Sequence, residues 1–476
     1  MKIVILGAGQ VGGSVAESLV SENNDITVID TDAERLEQLQ VRLDLRTVVG
    51  NAVLPSVLRS AGLDEADLLL ALTPSDQINL MVCKMAQAIF TVPTRIARLR
   101  SLEFIENPEL LSDKVFSVNY AFCPEQAITD YLVKLVDFPE ALQVLSFADG
   151  CVALVAVRAA AGSPMVGRPI SELREHLGAN VDARIAALFR RDRPLPPKPD
   201  TVIKAGDEVF VLAAEAHIRE VLFELHRMQE PVRRVIIAGG GNIGLRVARQ
   251  LEGRCVVKVI DHNRDRSENI AGRLGPSLIL HGEATDEDLL LQESIEETDL
   301  FMALTSDDED NIMAALLAKK LGCKRVLAIV NRRAYADLIQ SGRIDIAISP
   351  AMVSIGNLLT HVRHGFVAKV HSLRRGAAEA IELKALGDSK SSRVVGRCIS
   401  ELPEIEGATI AAVVRHLEPM EDEAVEHGTS RQGCGEVLIA HRDTRIESGD
   451  HVIVFCLNKK VVKKVEKLFE VGFHFF

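Results

Sequence analysis

Tryptophan is absent and tyrosine occurs three times, so aromatic residues make up only 4% of the chain. A surface that grips nucleic acid needs aromatic platforms or a concentrated cationic face. Here the net charge is −12 and the two signs are interspersed, which excludes nucleic acid as the main partner. No apolar run approaches the ~18–20 residues that span a bilayer. The first such run, Ile3–Leu6, is too short for a signal peptide and leads straight into a glycine turn. The expectation is a soluble chain that stays inside the cell. Eight cysteines are scattered without CxxC or Cys/His spacing. Metal ligands and disulfide frameworks need clustering, so neither is expected and a reducing cytosol fits. A GxxxxGK[ST] loop and a nucleophile elbow are missing as well. His176, His217 and His226 lie in charged helical surroundings, where a surface histidine is the default. No catalytic residue and no metal ligand is assigned.

What is present is a sequence written twice. Hydrophobic residues are 47% and charged residues 26% of 476, a globular balance that predicts two to four domains. GAGQVG (Gly7–Gly12) follows the apolar run IVIL, and GGGNIG (Gly239–Gly244) follows VIIA. At the same offset GNA at Gly50 meets GEA at Gly282, ALT at Ala71 meets ALT at Ala303, and Asn79 meets Asn311. Later stretches repeat too: VGRPISEL (166–173) with VGRCISEL (395–402), and IKAGDEVFVL (203–212) with IESGDHVIVF (446–455). Landmarks held in register mark an internal duplication.

In each first lobe, short apolar strands alternate with helical stripes, which predicts a doubly wound parallel α/β sheet of Rossmann type. Each second lobe carries short alternating strands, turn signals and a closing helix, the pattern of a small α+β lobe. The boundaries read 1–123, a connecting helix 124–139, 140–228, then 232–349, a connecting helix 350–367, and 368–470. Each connecting helix has one broad apolar face, which packs on its own domain or serves as a subunit contact. The segment 417–436 is acidic, glycine-bearing and aperiodic, and reads as a surface excursion.

The glycine turns carry the chemistry. Gly7 allows the tight strand-to-helix turn, Gly9 lets backbone approach a pyrophosphate, and Gly12 lets the helix pack closely on the sheet. First-turn amides then face the phosphates, where the helix dipole favours negative charge. Asp30 ends the next strand, placed to accept from ribose hydroxyls and to repel a 2′-phosphate, so NAD or NADH is expected over NADPH. Gly239, Gly241, Gly244 and Asp261 repeat the set, with Gly240 adding flexibility, and this second crevice could hold ATP or ADP instead. Thr73 and Thr305 end the fourth strands, where they donate to a ligand oxygen or cap the next helix. Arg98 and Arg100 follow the fifth strand, as phosphate contacts or as solvated side chains. An NAD-dependent oxidoreductase with a duplicated fold is the alternative from another class, although no lobe supplies a proton donor for a nicotinamide.

The ordered set GAGQVG, VIDTD, GNA, ALTPSD and RIAR, followed by a helical connector and a small lobe, resembles the RCK (or KTN) regulatory module. The two-copy, whole-chain arrangement is similar to the cytoplasmic nucleotide-binding subunits of bacterial Trk potassium uptake systems. RDRP (191–194), NRRAYADL (331–338), DIAISP (345–350) and SRVVGR (392–397) add to the likeness. The resemblance implies a homotetramer, peripheral on the cytoplasmic face of the bacterial inner membrane, that gates a potassium transporter of the TrkH or TrkG type. It implies binding of NAD(H), and of ATP or ADP in at least one set of clefts. Its site residues fall here on Gly7, Ala8, Gly9, Gln10, Val11, Asp30, Thr73, Pro74 and Arg98. The second set falls on Gly239, Gly240, Gly241, Asn242, Ile243, Asp261 and Thr305. Departures from the pattern lie in 417–436 and in His262 after Asp261.

Overall fold

The apolar runs before the two glycine turns become Lys2–Leu6 and Arg234–Ala238, each buried beyond its first residue. Burial on both faces requires strands on either side, and each run is the third of six in a parallel sheet. The computed structural model describes residues 1–20, 24–191, 193–226, 230–332, 335, 344–362, 366–373, 378–415 and 435–471. The first sheet runs Arg46–Val49, Asp25–Asp30, Lys2–Leu6, Leu68–Ala71, Thr94–Arg98 and Tyr120–Phe122 from edge to edge. The second runs Leu278–His281, Val256–Asp261, Arg234–Ala238, Leu300–Ala303, Arg325–Ile329 and Ile346–Ile348. Both have the dinucleotide-binding strand order, with the topological switch between the strand that precedes the glycines and its fourth-strand neighbour. The doubly wound fold predicted from the alternation is therefore present twice. The sixth strands, three residues each, were not expected.

The two smaller lobes also share one topology. Strands Arg193–Leu195, Ala183–Arg190, Glu208–Ala214, Val152–Arg158 and Ala141–Phe147 form the first antiparallel sheet. Glu436–Ile439, Ala408–Arg415, His451–Cys456, Ala378–Lys384 and Val367–Leu373 form the second in the same order. Strict alternation was expected, yet Val152–Val157 is buried on both faces. The reason is double cover: helix Ile218–Leu225 lies on one face, and the other shares a core with the second lobe. Phe147, Phe210 and Phe455 meet in that core. Polar bonds tie it: Glu382 accepts from the Ala148 amide at 2.8 Å, and His371 contacts the Ser146 carbonyl at 3.0 Å.

Order along the chain is not order in space. Met1–Asp130 and Arg234–Val362 make one compact unit, holding both parallel sheets. Tyr131–Arg233 and Arg363–Phe476 make the other, holding both antiparallel sheets. The second connecting helix, Pro350–Val362, packs on helix Gln10–Val20 of the opposite half, and His361 stacks on Tyr120 with ring centroids 3.5 Å apart. Contact with its own domain or with another subunit were the two expectations, and a sequence pattern shows an apolar face without showing what covers it. Among the described residues six cysteines lie outside any disulfide, but Cys151 is disulfide-bonded, a link its spacing did not announce. The segment 417–436 lies almost wholly outside the described residues.

Candidate functional site

The glycine turns form as their spacing demands. Gly7 and Gly239 have φ of 96° and 102°, in the left-handed region that side chains disfavour. A Cβ on Gly12 would stand 1.9 Å from the carbonyl oxygen of Gly7, and one on Gly244 equally close to that of Gly239. Nothing lies within 4 Å of a Cβ placed on Gly9 or Gly241, so these two face open space where a ligand's phosphates would sit. Gly240 is tighter than flexibility alone explains: a Cβ there would meet Ile270 Cδ1 at 2.2 Å.

Helix starts distinguish these turns from their neighbours. The helices beginning at Ala33, Asp76, Arg264 and Asp308 each have a side-chain cap and an acid in the first turn. The helices Gln10–Val20 and Asn242–Leu251 have no acid in the first turn, and Gly241 supplies no capping side chain. Their leading amides are left for an outside anion, which the positive helix end favours. The turns therefore fit a dinucleotide or nucleotide phosphate.

Asp30 accepts from the Ala8 amide at 2.6 Å and from the Asp32 amide at 2.9 Å. Asp261 accepts from Gly240 at 2.8 Å and Asn263 at 2.8 Å, so each acid clamps its own glycine turn. Asp261 carries one contact more: Arg266 Nη1 lies 3.1 Å from Oδ2. Burial alone would raise the Asp261 pKa, but the two amides and Arg266 outweigh it and hold the carboxyl below its usual range.

The threonines take a role that sequence reasoning missed. Thr73 donates its hydroxyl proton to Asn79 Oδ1 at 2.7 Å, and Thr305 does the same to Asn311 at 2.7 Å. Ser75 and Asp307, not the threonines, cap the next helices. Fully buried Asn79 donates back to the carbonyls of Thr73 and Arg98, and Asn311 to those of Thr305 and Ile329. Asp76 and Asp308 complete each bracket, accepting from the amides of Arg100 and Ser101 or of Asn331 and Arg332. The repeat of Asn79 at Asn311 was visible as a landmark, and their function as staples was not. Pro74 sits exposed between the threonine and the cap.

These brackets align the halves: Arg98 corresponds to Ile329 and Arg100 to Asn331. The first half thus keeps cations where the second is neutral. Glu125 Oε1 takes Arg98 at 2.9 Å and Arg100 at 3.3 Å. Burial pushes the Glu125 carboxyl upward, and Arg98, a backbone amide and Arg100 bring it below the usual carboxylate range. Arg98 Nε is buried without a hydrogen-bond partner.

Both halves meet at one cavity of about 570 Å³. The second crevice opens into it through Gly239, Gly241, Asn242, Ile243, Asp261 and Thr305. The opposite wall is first-half: Gln10, Val11, Arg98, Arg100 and Glu125. Arg246 fixes the halves at its edge, donating to Gln126 Oε1 at 2.9 Å and to the Arg100 carbonyl at 2.7 Å. The structure thus brings Arg98 to the second crevice, while Gly7, Ala8, Gly9, Asp30, Thr73 and Pro74 gather at the first.

A TrkA-N domain model matches residues 3–118 and again 235–350, and a TrkA-C domain model matches 154–225. The chain is 50% identical over its full length, and over all of the relative, to the Trk system potassium uptake protein TrkA of Halomonas elongata. It is 48% identical, over 99% of each chain, to the protein of the same name from Vibrio alginolyticus. Among solved structures, the GsuK RCK domain superposes with a TM-score of 0.59 at 19% identity, covering 98% of this chain and 94% of that one.

Proposed function

The chain belongs to the TrkA family of Trk system potassium uptake proteins, and from that premise we propose that it is the nucleotide-reading regulatory subunit of a Trk-type potassium transporter. It binds NAD(H) at the first glycine turn, and a dinucleotide, ATP or ADP at the second. It works as a homotetramer on the cytoplasmic face of the inner membrane, under a TrkH- or TrkG-type partner. It is a switch rather than an enzyme, as its relatives are potassium uptake proteins. The dehydrogenase alternative is set aside.

The observation that carries this reading is the cavity with one wall from each half. A ligand moves a protein only through different affinities for two conformations. A ligand seated on Gly241 with its phosphates toward Arg98 and Arg100 would be gripped by both lobes at once. Opening the angle between the lobes would break half of those contacts. The two arginines already share Glu125, so an arriving phosphate competes with a carboxylate for the same guanidinium groups. A tenfold preference for one angle supplies ~1.4 kcal/mol per site, and coupled sites in a ring add.

The test is potassium flux through the reconstituted membrane partner, with this chain present and NADH, ATP or ADP titrated. Flux should respond to nucleotide in the unmodified protein and lose that response in the Asp30→Ala, Asp261→Ala double variant. An unchanged response in the double variant would contradict the scheme.

A further inference from the structure

The two ribose acids are not equivalent, and one residue explains why. Both halves place an arginine on the third residue of the helix after the acid, Arg35 in TDAER and Arg266 in HNRDR. In the first half the helix cap is Asp32, and its carboxylate captures Arg35, with Nε 3.1 Å from Oδ2. Asp30 is then left to its two amides, with no cationic side chain paired to it among the described residues. In the second half the cap is Asn263, which is neutral. Arg266 has no acid at the cap to hold it and turns back onto Asp261, lying 3.1 Å and 3.3 Å from its two oxygens.

That difference reverses what each crevice presents at the ribose. A carboxylate with no cation beside it accepts from a 2′,3′-diol and repels a phosphate on O2′, whereas an arginine beside the acid accommodates that phosphate. Asp261 is almost fully buried beneath Arg266, so its lone pairs are already taken. The guanidinium is still about half exposed and faces the cavity, together with His262. We propose that the second crevice is built for a ribose carrying an anionic group at O2′, as in a 2′-phosphorylated dinucleotide, and the first for an unmodified diol, with Asn263 against Asp32 setting the choice. This rests on the reading of both crevices as nucleotide sites. It also goes beyond the expectation that the second crevice could hold ATP or ADP instead.

The test uses the full chain and calorimetric titration with NADH and NADPH. Gly9→Asp and Gly241→Asp each block one crevice without straining the fold, since a Cβ at either position meets nothing within 4 Å. With the first crevice blocked, NADPH should bind at least as tightly as NADH. Adding Asn263→Asp, which offers Arg266 a competing carboxylate, should weaken NADPH at least tenfold relative to NADH, and Arg266→Gln should do the same. With the second crevice blocked, only NADH should bind, and Asp32→Asn should let NADPH in. NADH binding to the Gly9→Asp chain with no NADPH binding would overturn the proposal, as would an NADPH to NADH ratio that Asn263→Asp leaves unchanged. No heat from either dinucleotide on the unmodified chain would instead sink the nucleotide reading beneath it.

Discussion

Single atoms decide matters at the glycine turns. A methyl group at residue 12 would overlap the Gly7 carbonyl, while one at residue 9 would touch nothing. Gly12→Ala should therefore destabilise the chain by more than about 2 kcal/mol, and Gly9→Ala by no more than about 0.5 kcal/mol. Urea denaturation of the two variants checks this, and equal midpoints would contradict the close approach. His371 offers a second test at this scale. Burial, reinforced by the charge of Lys369, lowers its pKa to about 3. The unfolded chain takes up that proton near pH 6.5. Between those values the unfolded state binds the proton and the fold refuses it, so stability falls as pH drops. The loss from this group should reach up to about 2 kcal/mol at pH 5, and His371→Gln should flatten the slope of urea midpoint between pH 7 and 5.

Elements are held by brackets that pattern alone does not reveal. Strands such as Ile3–Leu6 and Leu68–Ala71 were legible because buried parallel strands read as unbroken apolar runs ending at glycine or threonine. The glycine turns and their acids were legible because the spacing leaves few alternatives. Tyr120–Phe122 and Ile346–Ile348 were not, since a three-residue edge strand has no period to detect. Nor was the staple: Asn79 joins the end of the fourth strand to the carbonyl of Arg98, a partner far off in sequence. Asn79→Ala would leave the carbonyls of Thr73 and Arg98 and the Thr73 amide unpaired in the interior. A loss of about 3 kcal/mol is expected. Because the staple also positions the strand end bearing Arg98, nucleotide affinity should fall with stability. Asn79→Asp keeps the acceptor but sets a buried carboxylate oxygen against the carbonyls of Thr73 and Arg98, and should be no more stable than Asn79→Ala. Thermal melts beside calorimetry separate the two effects, and a variant with wild-type melting would show the bracket to be idle.

Across the whole molecule, duplication is legible from repeated motifs, but the pairing of halves is not. Periodicity reports that a face is apolar, and the residues that cover it lie more than two hundred positions away. Lobes that read as four beads on a string pair instead as parallel sheet with parallel sheet and antiparallel with antiparallel. Neither half is then a complete folding unit. Cut near residue 232, the first half would bare the core faces of Phe147, Phe189 and Phe210, and helix Gln10–Val20 would lose its cover from Pro350–Val362. Burying each such side chain contributes ~1.5–3 kcal/mol, a large share of an ordinary domain's net stability. Each half expressed alone should therefore aggregate or self-associate, and the two co-expressed should co-purify in equal amounts on size exclusion. A monodisperse, monomeric half with native circular dichroism would contradict that pairing. It would also weaken the functional argument, because a nucleotide can act on the angle between two lobes only if the chain folds them against each other.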